Sequence, residues 1–283
     1  MSSSEAKSEH WLITQWRGGL TSEQLHRANQ DIVQGLRSWT LWETLGLQDI
    51  RQRYRRSVIG PFWITISMGI MVGALGLLYG TIFQQPLDVY LPYLTAGFVV
   101  WGLVSLLILE GTNVFIEAEG LIRQLPTPYS VHVYRVVWRN ALVFAHNIWI
   151  FVIVMLWLGK NPGWVALWAV PGVAILLLNG VWMGIFFGLL SARFRDIPQI
   201  VASVVQVIFF LTPIIWMPKM MPDRSWMLDL NPFYHLVAIV RQPLLGEVPS
   251  LENWIVVLGI TIVGSSLTLL FYTIYRWRIA YWV

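Results

Sequence analysis

The fold of this chain is decided by the stretch Asp49-Ile50-Arg51-Gln52-Arg53-Tyr54-Arg55-Arg56-Ser57-Val58-Ile59-Gly60-Pro61-Phe62-Trp63. Four arginines fall within six residues of this stretch, and the 22 residues from Phe62 to Phe83 carry no charge. A basic block directly before a long apolar run is typical of a chain that enters a lipid bilayer from the cytoplasmic side. The stretch therefore predicts the first transmembrane span and its direction.

The composition of the whole chain indicates a membrane protein. Of the 283 residues, 56% are hydrophobic and only 12% are charged, which is about half the charged fraction of a soluble domain. The apolar residues form long runs rather than following helix or strand spacing, and this excludes a soluble core. The chain has no cysteine, so disulfide and thiolate chemistry are excluded.

Six apolar runs predict six transmembrane helices. The fourth is longer than the ~20 residues that a bilayer requires, so we expect a kink at Pro171-Gly172. Thr212-Pro213 interrupts the fifth run. The six predicted spans are about Phe62–Phe83, Leu91–Glu110, Val136–Leu158, Trp164–Ala192, Ile197–Met217 and Trp254–Tyr275.

The basic residues predict which way each span runs. With the N-terminus inside, nearly all of the 19 Lys and Arg residues fall in the cytoplasmic segments. This asymmetry predicts a multi-pass protein with both termini in the cytoplasm, rather than a basic nucleic-acid-binding surface. The exceptions in the outer loops are Lys160, Lys219, Arg224 and Arg241.

The residues before the first span divide into two parts. Residues 1–35 are a polar cytoplasmic extension without a signal peptide, in which Thr21 opens a capping box for a helix over about 22–34. That helix has a weak apolar face of Leu25, Ile32 and Val33. Residues 36–60 hold an amphipathic helix, over about 36–58, that lies in the lipid headgroup layer or, alternatively, packs on a soluble partner.

The remaining domain, residues 61–283, contains one irregular region between its last two spans. From Pro218 to Asn253, short apolar pieces alternate with prolines. Such pieces are too short to span a bilayer, and they predict re-entrant helices at the periplasmic face. The alternative is a surface loop with one amphipathic helix. The predicted fold class is an all-α polytopic membrane protein with six transmembrane helices, an N-terminal interface helix and re-entrant helices before the last span.

Motifs for catalysis are missing from the sequence. It has no GxxxxGK[ST] loop for ATP, and no GxSxG or HExxH motif. His146 in the third span is a candidate for proton transport, although such a residue more often hydrogen-bonds to a neighbouring helix. These absences favour transport over catalysis.

Aromatic residues are unusually frequent, with 17 Trp, 10 Tyr and 13 Phe. Most are explained by belts at the two membrane surfaces. Others could line a channel, because flat rings stack on sugars and their N–H or O–H groups donate hydrogen bonds. The channel-lining candidates are Phe62, Trp63, Tyr79, Phe209, Phe210 and Trp216.

Six short patches in the same order resemble the type-2 ABC exporter permeases for polysaccharides and polyol phosphates. The resemblance covers residue 36 to the end and is nearest to the O-antigen permeases. The patches are the opening stretch 49–63, Tyr90-Leu91-Pro92-Tyr93-Leu94, Phe115-Ile116-Glu117-Ala118-Glu119-Gly120-Leu121-Ile122, Arg193-Phe194-Arg195-Asp196-Ile197, Leu211-Thr212-Pro213-Ile214 and Leu230-Asn231-Pro232.

The resemblance implies a homodimer of this chain in the bacterial inner membrane, paired with two copies of an ABC ATPase subunit. The chain would not itself be an enzyme and would hold no cofactor, because ATP and Mg would bind to the partner. The substrate would be a polyprenyl-diphosphate-linked polysaccharide, moved to the periplasm between the first and fifth spans. A coupling helix of this chain would contact the ATPase, and its candidate residues are Glu117, Glu119, Gly120, Arg123 and Gln124.

The basic block is also a candidate for contact with the lipid headgroup and diphosphate of the substrate, although the positive-inside rule alone would account for its arginines. The candidate residues are Arg51, Arg53, Tyr54, Arg55 and Arg56. Three other functions stay open at this point. They are a capsule or teichoic-acid exporter, a membrane-embedded transferase acting on a lipid-linked glycan, and a channel or ion-coupled carrier.

Overall fold

The computed structural model describes residues 21–53, 55, 62–220 and 225–283, and this part of the chain is helical without strands. An N-terminal pair, α1 (Ser22–Arg37) and α2 (Trp39–Arg53), precedes the bundle. The first half of the bundle consists of α3 (Phe62–Ile82), α4 (Leu87–Glu117), the short α5 (Glu119–Gln124) and α6 (Ser130–Trp157). The predicted all-α class is confirmed.

The second half of the bundle alternates long and short helices. A 3₁₀ turn (Gly163–Trp168) leads into α7, and a second one (Pro218–Met220) follows α8. The last 3₁₀ turn (Arg276–Arg278) joins α11 to α12. The helices are α7 (Ala169–Arg193), α8 (Ile197–Leu211), α9 (Ser225–Asp229), α10 (Pro232–Leu244), α11 (Leu251–Tyr275) and α12 (Ile279–Trp282).

Five described segments are long and apolar enough to cross a membrane, so the chain is a multi-pass membrane protein. The predicted fifth span differs, because α8 has only 15 residues and is about 22 Å long at 1.5 Å per residue. That length falls short of the ~30 Å hydrocarbon core, and the count of six spans stays a prediction. The five segments are Phe62–Ile82, Leu87–Gln124, Ser130–Trp157, Gly163–Arg193 and Leu251–Trp282.

Helix α4 forms the centre of the bundle. In its most apolar window 72% of the residues are buried, against 11% for the peripheral α3. Glycines bring its backbone close to α7, because a Cβ on Gly111 would lie 3.0 Å from the Cα of Gly184. Small residues at such crossings are how membrane helices gain packing contacts.

The bundle has two chemically different ends. The end at which Arg135, Arg139, Arg195 and Arg276 lie is called the basic end, and it also carries α1, α2, α5 and α12. The opposite end, where Lys160 lies 3.1 Å from Asp88, is called the loop end. The predicted concentration of arginine at one end of the spans is therefore seen in the fold.

After α8 the chain is not helical from Thr212 to Met217, and these residues are called the unwound segment. Thr212 is extended and Pro213 follows it, so the predicted interruption at Thr212-Pro213 is confirmed. Backbone carbonyls within a membrane need partners from the protein. The Tyr90 hydroxyl donates to the carbonyl of Ile215 at 2.6 Å. Tyr93 donates to that of Pro213 at 2.7 Å, and Arg241 also donates there.

Helix α10 starts and ends at the loop end while its side chains from 235 to 241 are buried. At its start, Asn231 accepts from the backbone N–H of Phe233 and donates to the Thr212 hydroxyl at 3.1 Å. After its end, Gly246 lies against the backbone of Pro162. A helix with both ends near one end of the bundle is the arrangement expected of a re-entrant helix, and both its entry into the membrane and the side of entry stay predictions.

The N-terminal region partly corrects the sequence interpretation. Thr21 caps α1 as predicted, accepting from the N–H of Gln24 at 3.3 Å. The predicted apolar face is wrong, because Leu25 and Val33 are exposed and the buried face includes the charged Asp31. The sequence predicts one helix over about 36–58, but the helix is interrupted at Ser38. The backbone N–H and the hydroxyl of Ser38 both donate to the backbone carbonyl of Gln34.

Two predicted span boundaries are also wrong. Helix α4 continues past Glu110 to Glu117, and α6 begins at Ser130, six positions before Val136. Charged residues do not end these helices because Glu110 pairs with Arg139 on the facing helix. The helix is not broken at the expected Pro171-Gly172, because α7 runs without interruption from Ala169 to Arg193, and the change from 3₁₀ to α-helix comes before it. Pro171 then occupies the first turn, where a missing N–H costs little.

Candidate functional site

A buried group of charges ties three helices together at the basic end. Arg139 on α6 places one guanidinium nitrogen 2.8 Å from Asp49 on α2, and another 2.8 Å from Glu110 on α4. Arg135 also pairs with Asp49, and the Asn140 amide donates to Glu110 at 2.9 Å. These five residues are called the Arg139 cluster. Their carboxylates are held by cations, and the described residues include no group of three His, Asp or Glu suited to a metal ion.

Packing between α2 and α6 places Asp49 within reach of Arg139. The Trp42 ring lies between Tyr134 and Trp138, at centroid distances of 6.3 and 5.8 Å. One turn on, a Cβ at Gly46 would lie only 3.0 Å from Trp138, so the two helices approach closely there. Helix α2 is thus fixed on the bundle by aromatic packing and by ion pairs.

The basic block of the opening stretch divides into two groups. Arg53 lies 3.4 Å from Glu110 and so joins the edge of the Arg139 cluster. Arg51 and Arg55 are exposed and form no ion pair among the residues that the structure describes. The other two predicted headgroup residues, Tyr54 and Arg56, lie outside the described residues.

The predicted coupling region contains a separate short helix. Glu117 ends α4, a turn at Ala118 follows, and α5 runs from Glu119 to Gln124. Within α5, Glu119 and Arg123 pair at 2.9 Å, and Arg123 also donates to the backbone carbonyl of Val283. Helix α5 is thus held against the C-terminal residues. Nothing lies within 4 Å of a Cβ placed on Gly120, and the Gln124 side chain is exposed.

A second buried carboxylate at the basic end escaped the sequence interpretation. Asp31 on α1 accepts from the Tyr272 hydroxyl at 2.7 Å, from the Arg276 Nε at 3.0 Å, and from the backbone N–H groups of Tyr129 and Ser130 at 3.1 Å. Burial raises the pKa of the Tyr129 phenol, whose ring faces Arg276. Asp31 therefore joins α1 to the start of α6 and the end of α11. The one available signal was an acidic residue between apolar positions of a weakly apolar helix.

The six channel candidates are spread over α3, α8 and the unwound segment, and among them the rings of Phe209 and Phe210 are in contact, with centroids 5.2 Å apart. Phe62 and Trp63 on α3 and Phe210 on α8 are more than half exposed. Phe209 instead packs inward, with its ring centroid 5.8 Å from that of Trp101. Tyr79 stacks on Phe83 at 5.4 Å, and the Trp216 indole donates to the carbonyl of Phe210 at 3.1 Å.

Polar contacts within the third span join helices. The Nδ1 of His146 lies 2.7 Å from the carbonyl of Leu142 one turn earlier, and its ring meets Phe62 edge-on at 6.1 Å. Beside it, Asn147 accepts from the Thr65 hydroxyl on α3 at 3.4 Å. The Asn147 contact joins α3 to α6 and agrees with the helix-bonding alternative, whereas the His146 hydrogen bond lies within α6.

Glu110→Gln tests the Arg139 cluster. The substitution leaves Arg53 without its partner and Arg139 with Asp49 alone, so we expect the free energy of unfolding to fall by about 3 kcal/mol, the cost of breaking a buried ion pair. Glu23→Gln is the matched control, because Glu23 pairs with Arg27 on an exposed surface and such pairs contribute less than about 1 kcal/mol. Thermal unfolding of the purified protein in detergent measures both, and equal effects would contradict the cluster's role.

Comparison with known proteins agrees with this architecture. Residues 40–245, more than half of the chain, match the family described as "ABC-2 type transporter". An O-antigen export system permease protein RfbA of Klebsiella pneumoniae is 26% identical over 228 residues, covering 78% of this chain and 85% of that protein. One of the same name from Myxococcus xanthus is 23% identical over 68% of this chain and 75% of its own length. The predicted resemblance is confirmed, and the chain belongs to the ABC-2 type transporter family.

Proposed function

We propose that this chain is the membrane subunit of an ATP-driven exporter that moves a polyprenyl-diphosphate-linked polysaccharide, of the O-antigen kind, from the cytoplasm to the periplasm. The observation that carries the proposal is the similarity to O-antigen export permeases across 85% of one relative's length. The five long apolar helices supply the membrane domain that such a subunit needs. The chain has no P-loop motif, so ATP and Mg are assigned to a separate ATPase subunit.

Orientation follows from the basic end. Positively charged residues next to spans are retained in the cytoplasm, so the basic end, with α1, α2, α5 and α12, is placed there. The loop end, with the unwound segment and α10, is then placed in the periplasm. This assignment puts the protein in the inner membrane and gives the two termini a cytoplasmic location.

Two copies of the chain are proposed to enclose the translocation path. One copy leaves broad apolar faces of α3 and α8 without protein contacts, and among these are several of the aromatic channel candidates. When two copies meet, these faces either pair or line a channel whose rings stack on sugars. The exposed residues include Phe62, Trp63, Ile66, Ile70, Leu77, Ile200, Val204, Val207 and Phe210.

Helix α5 is the proposed contact with the ATPase. It projects between α4 and α6 at the basic end, and its outer surface is open around Gly120. Its other side is fixed, because Arg123 binds the carbonyl of Val283. A short helix that is held on one side and exposed on the other can transmit a movement of a soluble partner to α4 and α6.

Arg51 and Arg55 are proposed to make the first contact with the substrate diphosphate. Both are exposed, whereas Arg53 is paired with Glu110. Guanidinium groups bind phosphate oxygens through paired hydrogen bonds. The same side chains also attract anionic lipid, at about 1 kcal/mol per charge near the surface. Both roles would bring a lipid-linked anion to the start of α3.

Cross-linking tests the ATPase partner. Since the chain has no cysteine, Gly120→Cys introduces a unique thiol on α5. We expect a short bismaleimide to join it to a cysteine placed in the surface cleft of the co-expressed ATPase subunit. Val248→Cys, exposed at the loop end, is the control and should give no product. Equal yields from the two positions, or none from Gly120→Cys, would contradict the docking of α5.

Export tests the role of the free arginines. In a strain that lacks its own copy, we expect Arg51→Gln combined with Arg55→Gln to lower surface O-polysaccharide at least tenfold while the amount of membrane-inserted protein stays unchanged. Arg27→Gln removes an exposed positive charge of α1 and should leave export unchanged. Surface polysaccharide is measured by gel and antibody. Full export by the double variant would contradict contact of these arginines with the substrate.

A further inference from the structure

A cleft of about 400 Å³, lined by both polar and apolar side chains, opens at the loop end beside the unwound segment. The start of α4, the turn after α6, the 3₁₀ turn Pro218–Met220 and helix α10 form its walls. Its volume is within the usual range of small-molecule sites, about 300–1,000 Å³. The lining includes Tyr93, Lys160, Lys219, Tyr234, Arg241 and Glu247.

The lining combines hydrogen-bond donors with acceptors. Lys160 is held in place by Asp88 at 3.1 Å, and Glu247 contributes a carboxylate. The phenol of Tyr234 is protonated at neutral pH and can donate a hydrogen bond. A sugar hydroxyl both donates and accepts, and a ring of hydroxyls is therefore satisfied by such a mixed lining.

Two residues of the cleft also hold the unwound segment. The Tyr93 hydroxyl lies 2.7 Å from the carbonyl oxygen of Pro213 and 3.1 Å from that of Trp216. The buried Arg241 donates to the same Pro213 carbonyl, and its guanidinium lies 4.4 Å from the Tyr93 ring centroid. A ligand in the cleft therefore touches the side chains that fix the backbone between α8 and α9.

We propose that this cleft binds a saccharide unit of the exported glycan, and that binding acts on the unwound segment through Tyr93 and Arg241. The identity of the glycan rests on the proposed function, whereas the polyhydroxyl class of the ligand rests on the lining. The cleft is formed within one copy of the chain, so a dimer has two such sites. The site is separate from the faces of α3 and α8.

Binding of polysaccharide to the purified full-length chain tests this proposal. The probe is the polysaccharide released by mild acid from the lipopolysaccharide of the strain that carries this chain, added to the protein in lipid nanodiscs. We expect saturable binding that Tyr234→Phe and Glu247→Gln each weaken about fivefold or more, since each removes one hydrogen-bonding group. The matched control is Tyr281→Phe, whose side chain is 87% exposed at the basic end, and its affinity should equal that of the native protein.

Each outcome separates the cleft from the exporter function. Loss of affinity in both variants, with native size-exclusion profiles and intact cross-linking of Gly120→Cys to the ATPase, supports the cleft. Absence of binding by the native chain, or equal binding by the native chain and both variants, overturns it even if export is normal. If the chain supports no export but binds polysaccharide as expected, the proposed function fails and the cleft stands. Should one variant not fold, the other decides.

Discussion

The bridge that Arg139 forms between Asp49 and Glu110 determines the arrangement of the basic end. A guanidinium this deeply buried is stable only with carboxylates in direct contact, and here the two carboxylates come from α2 and α4. Helix α2 is thereby locked to the bundle at Asp49. Glu110 also pairs with Arg53 of the basic block, whereas Arg51 and Arg55 form no ion pair with the described residues.

The two ends of the bundle solve the burial of polar groups in different ways. At the basic end, charges are neutralised in pairs, and Asp31 gathers α1, α6 and α11 by a similar device. At the loop end, backbone carbonyls of the unwound segment lack partners within a helix. They accept hydrogen bonds from Tyr90, Tyr93 and Arg241 instead. If the proposed function holds, the basic end receives the lipid-linked substrate and contacts the ATPase. The loop end would be where the polysaccharide leaves the protein.

Much of this fold could be predicted because the bilayer imposes strong rules on sequence. Long uncharged runs predicted the spans, and the arginines predicted that the ends of the spans with positive charge lie together. Thr212-Pro213 predicted the point at which α8 is interrupted. The two wrong span boundaries have one cause, since both were set at charged residues. Glu110 and Arg139 violate that rule because they neutralise each other, and such pairing between residues 29 positions apart cannot be seen in a local pattern.

The candidate site was less predictable than the fold. The short helix at Glu119–Gln124 was located correctly, but its anchor on Val283 depends on tertiary packing. For the arginine block, sequence could not separate Arg53 from its neighbours, because its partner Glu110 lies 57 positions away. The buried face of α1 was misjudged for the same reason, since Asp31 has its partners at residues 129, 130, 272 and 276.

The most direct test of the central role of Arg139 is the distance between α2 and α5, measured by pulsed electron–electron double resonance. The cysteine-free chain accepts spin labels at Thr44→Cys and Gln124→Cys, both exposed positions. In the otherwise native protein we expect one narrow distance distribution. The Arg139→Leu substitution removes the bridge between Asp49 on α2 and Glu110 on α4, so the distance distribution should broaden and shift. Arg27→Leu should leave the distribution unchanged. A narrow, unshifted distribution in the Arg139→Leu protein would contradict the account.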